Sequence, residues 1–281
     1  MYNLHLHTNK SDGNLSPIEL INLAKDIELR GISITDHDTI DAYMEAIPYS
    51  KEKDIELILG LELSTDINNP KLESEYIEKY GTNLPEIHLL IYNFDIYSKK
   101  LHMILKDIME KRNKRGLKII KKLINDGFNI FEDTDYQNEK FIGRVKIANE
   151  LINTGYASSI KDAFAKYLNY NRKYYVKRES LSLDKAIKLA HDIGGIAVFA
   201  HPGEIISNKL RKLVLNTNID GIECFHPRNS AILTKELIKE AKNRNLIITG
   251  GSDFHGTEKS EYKLLKKYTI PSLPNKLNRI E

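Results

Sequence analysis

Within its first dozen residues the chain carries Leu4-His5-Leu6-His7-Thr8, then Asp12-Gly13. Side chains on a strand alternate with a period of two, so His5 and His7 point to the same side. Two imidazoles on one face, with a carboxylate five residues on, can form one wall of a metal site. Histidines on a strand surface would give the same pattern. Similar material recurs later: His37 within Asp36-His37-Asp38, Glu62 within Gly60-Leu61-Glu62, His88 within Ile87–Tyr92, His201-Pro202-Gly203, and Asp253 and His255 within Gly251-Ser252-Asp253-Phe254-His255. Six of the nine histidines lie on or just after an apolar strand-like run, which is too orderly for chance. Taken singly, each residue has a plain structural explanation: His88 as a hydrogen-bonded core residue, Glu62 or Asp253 as helix caps, Asp12-Gly13 as a turn. Gathered at one rim without a metal, six histidines and three carboxylates would be a severe burial of polar groups.

The elements that must position them alternate. Ser16-Pro17-Ile18-Glu19 is a capping box with Pro at the first helical position, and the helix is expected to run to about Arg30 with Gly31 as its stop. A second helix is expected from about Thr39 to Ile47. Seven apolar segments read as strands separated by helices, which favours an α/β fold with a parallel sheet or barrel. In such barrels chemistry gathers at the C-terminal strand ends, where most of the residues above fall. Between residues 98 and 170 no convincing strand appears and the text is helical, so an all-helical subdomain is expected to interrupt the α/β domain, dividing the chain into 1–97, 98–170 and 171–281. Its long first helix holds ten Lys/Arg between Lys99 and Lys122 against Asp107 and Glu110, a local net of +8 in a chain of net +3. A solvated helix face and a landing surface for phosphates both fit that block.

At 281 residues, 41% hydrophobic and 29% charged, the composition is that of a soluble globular protein with a sizeable core. No run is long and apolar enough to span a membrane. No secretory signal is visible, and a lone cysteine, Cys224, excludes an internal disulfide, so a reducing cytoplasm is expected. No obligate protein partner is evident.

His5-Leu6-His7-Thr8 with Ser11-Asp12-Gly13, Thr35-Asp36-His37-Asp38, Gly60-Leu61-Glu62, His88, Ala200-His201-Pro202 and Gly251-Ser252-Asp253-Phe254-His255 together resemble the PHP (polymerase and histidinol phosphatase) family over nearly the whole chain. The resemblance implies a metal-dependent phosphoesterase on a distorted seven-stranded (βα) TIM-like barrel holding three divalent metals. It implies that His5, His7, Glu62 and Asp253 hold one metal, that Glu62 bridges to a second held also by His88 and His201, and that Asp12, His37 and His255 hold the third. Glu62, His201 and Asp253 would then carry catalysis, with a hydroxide shared between metals attacking phosphorus. Imidazole and carboxylate ligands suit Mn²⁺, Fe²⁺ or Zn²⁺, and Mn²⁺ is favoured. Asp36 and Asp38 read as supports or caps rather than ligands, and His102 and His191 as ordinary helix residues.

Within that family the insertion resembles the branch acting on nucleoside 3′,5′-bisphosphates and, in some members, on 5′-phosphorylated RNA. Arg112 and Arg115, and Arg144 and Lys146 of Gly143-Arg144-Val145-Lys146, would line a lid and contact phosphate, although Arg112 and Arg115 also suit a solvated helix face. Lys146 stands where that branch has a histidine, and a lysine contacts phosphate as a point charge. His226 fits either a substrate contact or a surface position. The expected substrate is a small phosphorylated nucleotide, with short RNA 5′-ends as an extension. Alternatives on the same scaffold are a histidinol-phosphate phosphatase and a cyclic phosphodiester hydrolase. From another class, a metal-stabilised non-catalytic binding module is the rival.

Overall fold

A computed structural model describes residues 1–131, 142–256 and 265–277. Among them the elements run β1 (Tyr2–Leu6), α1 (Pro17–Asp26), β2 (Gly31–Ile34), α2 (Tyr43–Lys53), β3 (Glu56–Asp66), α3 (Pro70–Tyr80), β4 (Ile87–Tyr92) and α4 (Lys99–Asn125). Then follow α5 (Arg144–Asn153), α6 (Ile160–Ala163) continued by a π turn, β5 (Leu181–Ser182), α7 (Leu183–Asp192), β6 (Ile196–Phe199), α8 (Asn208–Leu215), β7 (Gly221–Phe225), α9 (Ala231–Asn243) and β8 (Ile247–Gly250). The stretch 132–141 of the expected helical insertion lies outside the described residues. No described helix is long and apolar enough to cross a membrane.

The chain divides into two compact units: Met1–Ile67 with Pro85–His102 and Leu181–Glu281, and Asn68–Leu84 with Met103–Ser180. In the first, seven strands pair in the order β1-β2-β3-β4-β6-β7-β8, and the two-residue β5 adds to the end of β3. The ends of this sheet meet: Leu6 bridges Phe254, His7 N–H donates to Phe254 O at 2.9 Å, and Asp253 N–H donates to His5 O at 3.0 Å. The result is a sheet nearly closed into a barrel. Leu4, Ile58, Leu90, Tyr92, Val198 and Ile247 come from five different strands into one buried apolar cluster.

The sheet is mixed rather than parallel. β4 runs antiparallel to both β3 and β6. An apolar strand has the same residue pattern in either direction, and α3, the helix between β3 and β4, belongs to the second unit. The reversal matters for chemistry. His88, second residue of β4, pairs with Ser64 near the end of β3 and so reaches the rim where the parallel strands finish.

Two helix boundaries also differ from expectation. α1 ends at Asp26, because Glu28 turns left-handed (φ 58°) and lets Leu29 N–H bond back to Ala24 O at 2.9 Å while Leu29 is buried. Gly31 instead opens β2, where a Cβ would lie 2.7 Å from Glu56 O. α2 starts only at Tyr43, because Asp38 is tied to β3, its N–H to Glu62 O at 3.0 Å and its Oδ1 accepting from Ser64 N–H at 2.9 Å.

The second unit has its own core. Ile119, Ile120 and Leu123 of α4 pack with Ile147, Ala148 and Leu151 of α5 and with Leu168 and Tyr174. α4 is amphipathic, its apolar positions spaced for one helical face.

Candidate metal centre

The residues picked from strand ends converge around Glu62, which is fully buried. Its Oε2 lies 3.1 Å from His5 Nε2, 3.1 Å from His7 Nε2 and 3.2 Å from His37 Nδ1. Its Oε1 lies 2.9 Å from both His88 Nδ1 and His201 Nε2. Five imidazoles from four strands or strand ends therefore meet two carboxylate oxygens. Asp253 Oδ1 approaches the same point, 3.4 Å from His5 Nε2 and 3.1 Å from His7 Nε2.

A second gathering lies beside it around Asp12. His255 Nε2 is 3.3 Å from Asp12 Oδ1, His37 Nε2 is 3.7 Å from Oδ2, and His7 Nδ1 is 3.6 Å from Oδ1. Donor atoms of His5, His7, Glu62 and Asp253 lie within 4.8 Å of one another, as do those of His7, Asp12, His37 and His255, and those of His37, Glu62 and His88. His201 joins the last set through Glu62 and through His88 Nδ1 at 3.2 Å. All nine sequence-chosen ligand candidates are thus in one place. They open into a cleft of about 560 Å³ lined also by Glu204, His226, Arg228 and Ser252.

The local backbone is built for this. Asp253 and His201 both take left-handed conformations, at φ 53° and φ 26°, which non-glycine residues adopt at a cost. Gly251 lets the chain after β8 pass against β1: a Cβ there would stand 2.2 Å from His5 Cβ. Gly251→Ala is therefore expected to destabilise the fold by about 1–3 kcal/mol and to displace His5, read as a lowered Tm together with weakened metal binding. Asp36 anchors the loop carrying Asp12, accepting from Thr8 N–H at 2.7 Å and from the Thr8 and Ser11 hydroxyls at 2.6 Å each. It supports the site and does not line it.

The electrostatics are those of carboxylates short of positive charge. Burial acts to raise Glu62 and Asp253, yet the surrounding imidazoles hold both well below the usual range. Burial likewise disfavours charge on His7 and His88, but Asp253 and Glu62 drive His7 up to about 10, and Glu62 drives His88 up to about 10. His37 goes the other way, down to about 4, because burial dominates and His7 and His88 add repulsion. Moreover, His7 Nδ1 and Nε2 and His37 Nδ1 are buried and make no hydrogen bond. Unpaired ring nitrogens facing ionised carboxylates are what divalent cations would satisfy, so the residues fit a metal centre. Mixed nitrogen and oxygen donors suit Mn²⁺, Fe²⁺ or Zn²⁺.

The PHP domain model matches residues 3–214. The chain belongs to the PHP domain family. This PHP chain is 32% identical over 260 residues to a 5′-3′ exoribonuclease of Haemophilus influenzae, covering 90% of the chain and 89% of that protein. It is 27% identical to a 3′,5′-nucleoside bisphosphate phosphatase of Chromobacterium violaceum, over 90% of the chain and 86% of the relative. A Bifidobacterium adolescentis structure classed as a candidate metal-dependent phosphoesterase superposes with TM-score 0.77 at 27% identity, covering 92% of this chain and 88% of its own. The PHP chain is accordingly a metal-dependent phosphoester hydrolase.

Other candidates fall differently. His226 is not at the surface: it is 1% exposed, its Nδ1 accepts the Arg228 main-chain N–H at 3.0 Å, and its Nε2 faces Asp253 Oδ2 at 3.4 Å. His102 and His191 hold Ile96 O and Asp220 Oδ2, away from the cluster, as ordinary helix residues. Arg112, Arg115, Arg144 and Lys146 belong to the second unit and are half-buried. There Arg115 Nε donates to Val176 O at 2.8 Å, and the Arg144 guanidinium sits 5.3 Å from the Phe164 ring centre. Sequence reasoning missed Glu223, fully buried, with Oε1 2.9 Å from His5 Nδ1. Its signal was a charged residue inside the otherwise apolar Gly221–Phe225 strand.

Proposed function

We propose that this PHP chain removes the 3′-phosphate from nucleoside 3′,5′-bisphosphates and also attacks short 5′-phosphorylated RNA. The observation that carries the reading is the convergence of five imidazoles on Glu62 at the wall of an open cleft, in a chain whose relatives with near-full coverage bear those two activities. Bound divalent cations, which we take to be three, would supply Lewis acidity and lower the pKa of a water at neutral pH. Mn²⁺ is the cation we favour.

The chain's own residues do the rest. Glu62 and Asp253 hold negative charge at the centre, and His5, His7, His88 and His201 fix where it is shared. His226, its Nδ1 occupied, keeps a proton on Nε2 and offers it to a phosphoryl oxygen in the cleft. Asp12, His37 and His255 form the outer set, assigned to steadying the leaving oxygen or the phosphate. Arg112, Arg115, Arg144 and Lys146 are assigned to the substrate's remaining phosphate, for which a guanidinium fork is well suited and a lysine acts as a point charge. The site of action is taken to be cytoplasmic, where such nucleotides occur.

The test is turnover of an adenosine 3′,5′-bisphosphate, a 5′-phosphorylated oligoribonucleotide, histidinol phosphate and a cyclic phosphodiester, with Mn²⁺ and after chelation. The bisphosphate should give the highest kcat/KM, and chelation should abolish it. Preference for histidinol phosphate or the cyclic ester would replace the substrate assignment. Metal binding with no turnover on any of them would favour a binding module. Arg144→Ala is expected to raise KM for the bisphosphate about tenfold, the equivalent of one charge-assisted hydrogen bond, with little change in kcat. A fall in kcat at constant KM would confine Arg144 to the transition state.

A further inference from the structure

We propose that Glu223 is a positioning residue that locks two cation ligands, His5 and His201, into their ligating pose, and that the His5–Glu223–His226 cluster is not itself a cation site. The proposal rests on the metal-centre reading and not on the choice of substrate.

Glu223 sits in the middle of β7 and is completely buried. One oxygen, Oε1, lies 2.9 Å from His5 Nδ1 on β1. The other, Oε2, accepts the main-chain N–H of His201 at 2.7 Å, just past β6. A single carboxylate on one strand therefore holds two ligand residues on two others. Its acceptance from His5 requires a proton on Nδ1, so when His5 is neutral the lone pair is on Nε2. Nε2 is the nitrogen that faces Glu62 and Asp253. Acceptance from the His201 N–H fixes a peptide held at φ 26° and ψ 62°, a conformation that needs outside support. β7 is itself pinned, because the Asn229 side-chain amide donates to the carbonyls of Glu223 and Cys224 at 3.0 Å each.

His5, Glu223 and His226 bring donor atoms within 4.8 Å of one another, a spacing that would admit a cation. The hydrogen bonds argue otherwise. His5 Nδ1 bears the proton given to Glu223. His226 Nδ1 has its lone pair taken by the Arg228 N–H, which leaves a proton on Nε2. Neither ring has a lone pair free on this side, so the cluster is a hydrogen-bonded buttress. Carboxylates that orient ligand histidines in this way typically change metal affinity or activity 10–100-fold when removed.

Glu223→Gln keeps the volume but has one acceptor and one donor group, so it cannot accept from both His5 and His201. Calorimetric titration of the metal-stripped variant with Mn²⁺ should show affinity weakened by about 10–100-fold, with unchanged stoichiometry and a metal-free Tm close to that of the wild type. Wild-type affinity would overturn the proposal. So would a stoichiometry lowered by one, which would make Glu223 a ligand. A second measurement needs no variant. In the Zn²⁺-loaded wild-type protein, long-range ¹⁵N–¹H correlation should place the proton of His5 on Nδ1, and a proton on Nε2 would refute the assignment. Both readings are made without substrate, so failure of the nucleotide assignment would leave them intact.

Discussion

Glu62→Gln should abolish turnover. Both oxygens of this carboxylate are engaged, one by three ring nitrogens within 3.2 Å and the other by two at 2.9 Å. Glutamine preserves the volume, so the apolar surroundings have no reason to collapse. It removes the central negative charge, however, and puts a neutral amide where the cations would need an anionic oxygen. His88 and His201, each 2.9 Å from Glu62 Oε1, would lose that partner. A metal-centred contribution of several kcal/mol, at about 1.4 kcal/mol per tenfold, sets the expected loss in kcat/KM at roughly 10³ or more. Metal content after dialysis should fall in the same variant, while circular dichroism remains that of the wild type. A variant retaining a tenth of the activity would remove Glu62 from the centre of the reaction.

The parts legible from sequence were those written in short-range chemistry. Ile87–Tyr92 matches β4 residue for residue, and the Ser16-Pro17-Ile18-Glu19 capping box starts α1 at Pro17, because an apolar run and a helix cap are both local signals. His5 and His7 were legible because a strand's alternation fixes which side they share. His37, Glu62, His201, Asp253 and His255 were legible because they punctuate apolar runs.

What escaped depends on long-range pairing. Nothing in Ile87–Tyr92 says that it runs antiparallel, since that is decided by the strands it joins. The burial of Glu223 follows from β7 being covered on both faces, and that of His226 from the turn in which the Arg228 N–H bonds back to its ring, and local sequence records neither. The early end of α1 follows from burial of Leu29, which local propensity does not register.

The outer set around Asp12 offers the sharper separation of chemistry from folding. Asp12 and His255 are only partly buried, with side chains 18% and 27% exposed. The loop that carries Asp12 is held by Asp36, through Thr8 and Ser11, and not by Asp12 itself. Asp12→Ala therefore leaves the loop's anchors in place, and the barrel closure between Leu6 and Phe254 is untouched. Its Tm should change by no more than a few degrees, as for a partly exposed substitution. What it removes is the only carboxylate among the described residues that His37 and His255 share, and with it the negative charge that makes a cation there worthwhile. The bound-metal count should fall by one, and kcat by about 10²–10³, the equivalent of 3–4 kcal/mol of transition-state stabilisation. His255→Ala should reproduce the effect, and the double variant should cost little more than either alone, because two ligands of one cation act as a unit. Unchanged kcat in Mn²⁺-replete buffer would show that the outer set holds structure and not a reacting phosphate.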